Sequence, residues 1–326
     1  MAAGTGTTTV DLNLRAGPGT QFAVLTVLPP QTSVQVLAEQ GDWLQVTAAG
    51  QAGFVHRGFV RLESQGTDPG LLRPRPDAGA PDPGPLAPPE GQAIKLAANA
   101  TSAERQAATI WNKYGGLLAE LAAKLRVDPG AAVAVLAIES GGRGFAADGR
   151  MIIRFENHLF FRQWGKNNAE VFHRHFSFNP EKNWLDHRWR QFTNRPFAEF
   201  HGTQDGEWQA FSFARALDPQ GAFGSDTAAK LSISMGGPQI VGFNYPTLGY
   251  ESVHQMFDAF SAGERQQIIG FFDFVQGASR DSRRVLALQA GDFTTFASLY
   301  NGPGQAAKYG SLMQSVFDTF RRLKPN

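Results

Sequence analysis

The stretch DAGAPDPGPLAPPEG, residues 77–91, constrains this chain more than any other feature. It is nearly all Pro, Gly, Ala and Asp. Such residues remove amide donors, fix φ and offer no side chains to a packed core. The segment favours extended polyproline II, at about 3.1 Å per residue, and separates whatever flanks it. The chain therefore reads as multidomain: residues 1–63, a Pro/Gly-rich linker over 64–94, and residues 95–326.

The first part reads as all-β. Short β-branched runs (VLTVL at 24–28, SVQVLAE at 33–39, DWLQVTA at 42–48 and QAGFVH at 51–56) alternate with Gly, Pro and Asp breaks. Strands this short at this spacing predict a small barrel. After residue 95 the period becomes helical. Thr101/Ser102 followed by Glu104 predicts a capping box. Asp128 as N-cap and Pro129 in the first turn predict a second helix, DPGAAVAVLAIES, apolar nearly all round and so buried. DGRMIIRFEN at 148–157 reads as a turn and a short hairpin strand, in which alternation puts Ile153 and Phe155 on one face and Arg154 and Glu156 on the other. The rest alternates aromatic-rich helices with Gly/Pro loops, so this part is mainly α with a small β-hairpin.

Composition excludes several classes of function. A net charge of +1 disfavours nucleic-acid binding by charge. Cysteine is absent, which removes disulfides, thiolate metal sites and a Cys nucleophile. The longest apolar run, Ala131–Ile138, is far too short for a membrane span. The opening MAAGTGTTTV has no basic residue and no apolar stretch, so no secretory signal is expected. The chain is expected to be made in the cytoplasm and, if it acts elsewhere, to be carried there.

The chemistry centres on AVAVLAIESGGRGF. Glu139 ends an apolar helix and is followed by glycines. Burial disfavours the charged carboxylate, and the negative end of the helix dipole pushes the same way. A Glu kept protonated near neutral pH is what a general acid for glycosidic cleavage needs. Taken alone, it also fits a solvated or capping Glu at a helix end. Imidazoles at His173, His175 and His187, with Asp186, invite a zinc reading, but their order fits no zinc-peptidase pattern and His-x-His among aromatics reads as a surface or packed helix. The aromatics between 155 and 213 suit a helical core better than sugar-stacking platforms.

Two resemblances add to this reading. NLRAGPGT at 13–20, GDWLQV at 41–46 and GQAGFVHRGFV at 50–60 resemble the bacterial SH3-like domain, with Phe54 where the family usually has Trp. The resemblance implies cell-wall targeting, with a cell-wall peptide as ligand in many members and a plain spacer role in others. Trp43 suits either core packing or a ligand-facing position. Further on, ESGGRGF, MIIRFENHLF, SMGGPQIVGFNY and YNGPG, in order over 100–323, resemble the N-acetylmuramidase family of the lysozyme superfamily, found in phage endolysins and cell-wall-degrading effectors.

This second resemblance implies a lysozyme-like glycoside hydrolase that cuts the β-1,4 bond between N-acetylmuramic acid and N-acetylglucosamine in peptidoglycan. Glu139 would be the proton donor. Gln239 and Asn244 would line the sugar cleft, Ser234 and Gly237 would allow close approach, and Tyr300 and Asn301 would lie near the acid. Ser234, Gly237 and Asn244 also fit a plain tight turn, and Tyr300 a core aromatic. Hydrolysis with a second carboxylate needs one roughly 5–9 Å across the cleft. Glu156 is the first candidate and Asp148 the second. A site without either would fit a lytic transglycosylase, and a non-catalytic wall-binding protein is the other alternative. No metal or organic cofactor is expected. Holin-type or type VI-like delivery to the periplasm is expected, with an immunity protein in the second case.

Overall fold

The computed structural model describes residues 4–8, 11–40, 43–63, 85–218, 224–277 and 282–324. The chain divides into two compact units, one of strands and one containing the α-helices. In the first, β1 (Gly4–Thr8), β2 (Leu12–Arg15), β3 (Val24–Leu28), β4 (Ser33–Gln40), β5 (Trp43–Ala48), β6 (Gln51–His56) and β7 (Val60–Glu63) form one antiparallel sheet. Its order is β3-β2-β6-β5-β4-β1-β7. Period-2 alternation builds the core: Leu44, Val46 and Ala48 point in, joined by Leu12, Leu14, Val34, Val36 and Val55. The same alternation decides the place of Trp43. It lies on the face away from that core, half-buried, edge-on to His56 at 5.4 Å, with Phe59 a further 5.4 Å beyond. Four of these strands stand where the β-branched runs predicted them. β1, β2 and β7, in Gly/Thr-rich or short segments, were not foreseen.

Most of the expected linker lies outside the described residues, but residues 85–94 do not behave as a spacer. They run along α1 (Ser102–Lys124). The Leu86 carbonyl accepts from the Gly116 amide (3.0 Å), the Gln92 carbonyl from the Trp111 indole (2.8 Å), and Asn112 bonds both backbone groups of Ile94. Ile94 is buried. Isolated apolar residues in a Pro-rich segment suffice to dock it once a helix offers polar side chains to its free backbone groups.

α1 starts at the expected capping box: the Thr101 side chain accepts from the Glu104 amide and Glu104 returns to the Thr101 amide at 2.7 Å. α2 (Pro129–Ser140) follows, with the Asp128 side chain capping Gly130 and Gly141 closing the helix in the left-handed region at φ 66°. Residues Gly130 to Ala137 are all buried. Complete burial of Val133, Val135 and Leu136 contributes about 1.5–3 kcal/mol each. This helix is the centre of the larger core. α1 and α11 (Ala306–Leu323) pack on it, and Trp111, Phe271, Phe272, Phe296 and Phe320 fill the space around it.

The intervening elements are β8 (Ile153–Phe155), α3 (Asn157–Gln163), α4 (Ala169–His175), β9 (Phe176–Ser177), β10 (Arg188–Trp189), β11 (Ala198–Glu199), α5 (Gln204–Ala216), α6 (Ser225–Leu231), β12 (Ile233–Met235), β13 (Ile240–Val241), α7 (Val253–Ala262), α8 (Glu264–Gln276), α9 (Arg283–Gln289) and α10 (Phe293–Tyr300). Among the described residues no helix is long and apolar enough to cross a membrane. The expected hairpin strand is shorter than its sequence suggests. The 148–150 turn is present between bridged Phe145 and Met151, but only Ile153–Phe155 is strand, and its partner is the distant β12. Asn157–Gln163 turns helical and buries Leu159 and Phe160. The hairpin proper is β12–β13, joined by the Gly-Gly-Pro-Gln turn, with β8 on its other side.

Most of the 155–213 aromatics are core, as expected. Phe155, Phe160, Phe172, Phe176 and Phe211 are fully buried and touch one another, while Trp184 and Phe192 stay exposed. His173 packs on Phe161 and His175 on Phe213, both from α4.

Candidate active site

Glu139 sits in the last turn of α2, half-buried, its Oε1 accepting from Asn301 Nδ2 at 2.8 Å. Burial pushes its carboxyl up to about 7, and the Asn301 amide pulls the other way. Tyr300, the last residue of α10, donates its hydroxyl to the Pro238 carbonyl at 2.7 Å. Burial first, and the Glu139 charge second, hold its phenol well above the ordinary range, so it stays neutral beside the acid.

The Gly-Gly-Pro-Gln turn comes in from the other side. A side-chain carbon built on Gly237 would lie 3.6 Å from both the Ser140 hydroxyl and the Arg143 carbonyl, which sets this turn against the end of α2. The structure thus brings together Glu139, Gly237, Tyr300 and Asn301. Gln239 is in the same turn at φ 51°, and its amide Nε2 closes the turn onto the Gly236 carbonyl at 2.7 Å. Ser234 is buried mid-strand, opposite Arg154 and Val241. Asn244 bonds back to the Val241 carbonyl. The contacts of these last two are local.

Neither candidate second carboxylate joins the group. Asp148 is exposed and bound to Arg150, whose guanidinium also holds Asp205 and keeps Asp148 below the ordinary carboxylate range. Glu156 faces away from the β8 core residues, as alternation predicts, but at the wrong end of the sheet. Ile152 accepts from Gly236, at the turn, whereas Glu156 donates its amide to the Ser232 carbonyl. Those four residues of strand span about 13 Å. The Glu156 side chain is committed to Arg154 Nε at 2.8 Å, with His187 and His158 nitrogens at 3.3 and 3.5 Å.

One residue of this site was missed in the sequence. Gln267 of α8 is 1% exposed. Its Oε1 accepts from the Gly237 amide at 2.8 Å, and its Nε2 donates to the Phe260 carbonyl at 2.9 Å and approaches the Gly144 carbonyl. It clamps the turn to the loop leaving α2. Gly236, at φ 67°, and Gly144 make room for it: a side-chain carbon on either would come within 2.4 Å of the Gln267 amide group. The available signal was a Gln in the middle of the apolar stripe of ERQQIIGFFDFV.

The family described as N-acetylmuramidase has a model that matches residues 128–321, and the bacterial SH3 domain model matches residues 10–61. Among solved structures, the crystal structure of an endolysin of Burkholderia phage AP3 is similar. It shares 27% identity over 63% of this chain and 70% of that one, with a TM-score of 0.47. No curated protein matches.

Proposed function

We propose, for a chain that belongs to the N-acetylmuramidase family, that Glu139 is the general acid in cleavage of the β-1,4 bond from N-acetylmuramic acid to N-acetylglucosamine. Membership makes the chain a peptidoglycan hydrolase. The observation that carries the finer reading is a carboxyl pushed up to about 7 at the end of a buried helix, held by Asn301. The protonated Glu139 gives its proton to the glycosidic oxygen as the bond to the muramic acid C1 breaks. The carboxylate so formed faces the positive sugar and takes the proton of the incoming water, so a single carboxyl serves as acid and then base. Tyr300, neutral and anchored on Pro238, keeps the turn against the helix end. No second carboxylate is invoked, because Glu156 and Asp148 have other partners. The SH3-like part would hold the enzyme to the wall, and Trp43, turned away from the core and edge-on to His56, supports that role.

Mass spectrometry of soluble products from purified peptidoglycan tests this. Products with a reducing muramic acid end support the reading. Products lighter by one water mean that a sugar hydroxyl replaced water, and the chain is then a transglycosylase using the same Glu139. That second reading is favoured by the lack of an assigned carboxylate opposite the acid.

The pH profile gives a separate check. The acid form is present below about 7 and lost above it, so kcat should fall about tenfold per pH unit on the alkaline side. Asn301→Ala removes the donor that favours the carboxylate. The alkaline limb should therefore move to higher pH, and an unmoved or lowered limb would contradict the assignment of that hydrogen bond.

A further inference from the structure

The geometry points to a zinc-type metal site formed by Glu156, His158 and His187, with His201 as fourth ligand, that pins the segment around His187 to the end of β8. It lies apart from the residues gathered around Glu139 and does not rest on the reading of the reaction.

The hydrogen-bond roles carry the argument. His187 is wholly buried, and its Nε2 lies 2.8 Å from the Asn183 carbonyl. A carbonyl only accepts, so Nε2 carries the proton and Nδ1 presents a lone pair. Nδ1 lies 3.0 Å from His201 Nε2, which donates to it, and 3.3 Å from Glu156 Oε2, where acceptor meets acceptor. His158 Nδ1 faces the same oxygen at 3.5 Å and, among the described residues, has no hydrogen-bond partner although it is buried. These three ligand atoms lie within 4.8 Å of one another. The Glu156 oxygen and the His187 nitrogen meet with no proton between them, which is costly, and a cation at the centre removes that cost.

The spacing fits one ion in particular. Zinc–nitrogen and zinc–oxygen bonds of about 2.0–2.1 Å in a tetrahedron set neighbouring ligand atoms about 3.3 Å apart. The two distances from Glu156 Oε2 are 3.3 and 3.5 Å, and the remaining pair, within 4.8 Å, draws closer when the ion binds. His201 Nε2 stands 3.0 Å from His187 Nδ1. Its other nitrogen is 2.8 Å from Glu207 Oε1, and Glu207 Oε2 is fixed by the Phe155 amide at 2.8 Å. A ligand imidazole held through its second nitrogen by a carboxylate or a carbonyl is the usual outer arrangement of a zinc site. Here His201 has the carboxylate and His187 the carbonyl. When the ion enters, the His201 Nε2 proton that had pointed at His187 leaves to solvent, and its lone pair becomes the fourth ligand.

The site has a structural purpose. Asn157, next to Glu156 in sequence, already ties β9 and β10 to α3 by donating to the Ser177 and Arg188 carbonyls at 2.8 Å each. The ion would fasten the same segment through His187.

The full chain, freed of metal by a chelator and dialysis, is titrated with Zn²⁺ by calorimetry. Co²⁺ uptake is followed by visible absorption. One equivalent per chain is expected, with the intense absorption of tetrahedral Co²⁺, and melting should rise by about 5–10 °C at saturating Zn²⁺. His158→Gln forfeits no hydrogen bond of His158 Nδ1, so it should fold, yet bind Zn²⁺ at least about 100-fold more weakly. His187→Ala should do the same if it folds, but the test does not depend on it. A natively folded wild type that takes up no stoichiometric Zn²⁺, or a His158→Gln protein that binds as tightly as wild type, overturns the assignment.

Discussion

Glu139→Gln is expected to lower kcat on purified peptidoglycan by about 10²- to 10⁴-fold, the range that general acid catalysis supplies. The substitution is isosteric. Its amide oxygen can still accept from Asn301 Nδ2, which now bonds Glu139 at 2.8 Å, so the loss should fall on kcat rather than on folding. Stability provides a separate readout of the raised carboxyl. The folded carboxyl lies at about 7 against 4.5 when unperturbed. A raised carboxyl adds stability that is fully present below about 4.5 and lost as pH rises through about 7. The Gln variant has no such dependence. Its melting temperature relative to wild type should therefore climb between those pH values and level off above them. Wild-type clearing of cell walls by the variant would remove Glu139 from the chemistry.

Gln267→Ala has the second large effect. It strips the acceptor from the buried Gly237 amide and the donor from the Phe260 carbonyl. A buried polar group left unpaired costs about 1–3 kcal/mol. For a unit of this size that is a fall of about 2–4 °C per kcal/mol. Activity should fall further than stability requires. The freed turn carries the Pro238 carbonyl that anchors Tyr300, and displacement of about 1 Å in such a site costs about 10²-fold in rate. Thermal melting and single-turnover rates, measured well below the melting point, separate the two effects. If kcat stays at the wild-type value while melting drops, Gln267 only supports the core.

How much of this was legible depends on the range over which each feature is decided. The α1 capping box spans three residues, the α2 cap and its C-terminal glycines are local, and the alternation of β5 needs only six positions. Such features follow from backbone geometry and propensity, and they appear where the sequence predicts them. So does the face of β8 that carries Glu156. The strand's length did not follow, because it pairs with a segment some 80 residues away and ends where that partner ends.

The candidate site divides the same way. The sequence by itself determined that a carboxyl would end a buried apolar helix, that glycines would follow it, and that YN and GGPQ segments would be available to it. Only the tertiary structure decided which of these met. Asn301 reaches Glu139 across 162 residues, and Gln267 approaches Gly144 across 123. It also decided that Glu156 would lie against His158 and His187 and not beside Glu139. The reason is physical: a carboxylate's place along the chain sets which face of a strand it occupies, but its partners are set by what the fold packs against that face. At Glu156 those partners are the Arg154 guanidinium and the imidazoles of His158 and His187.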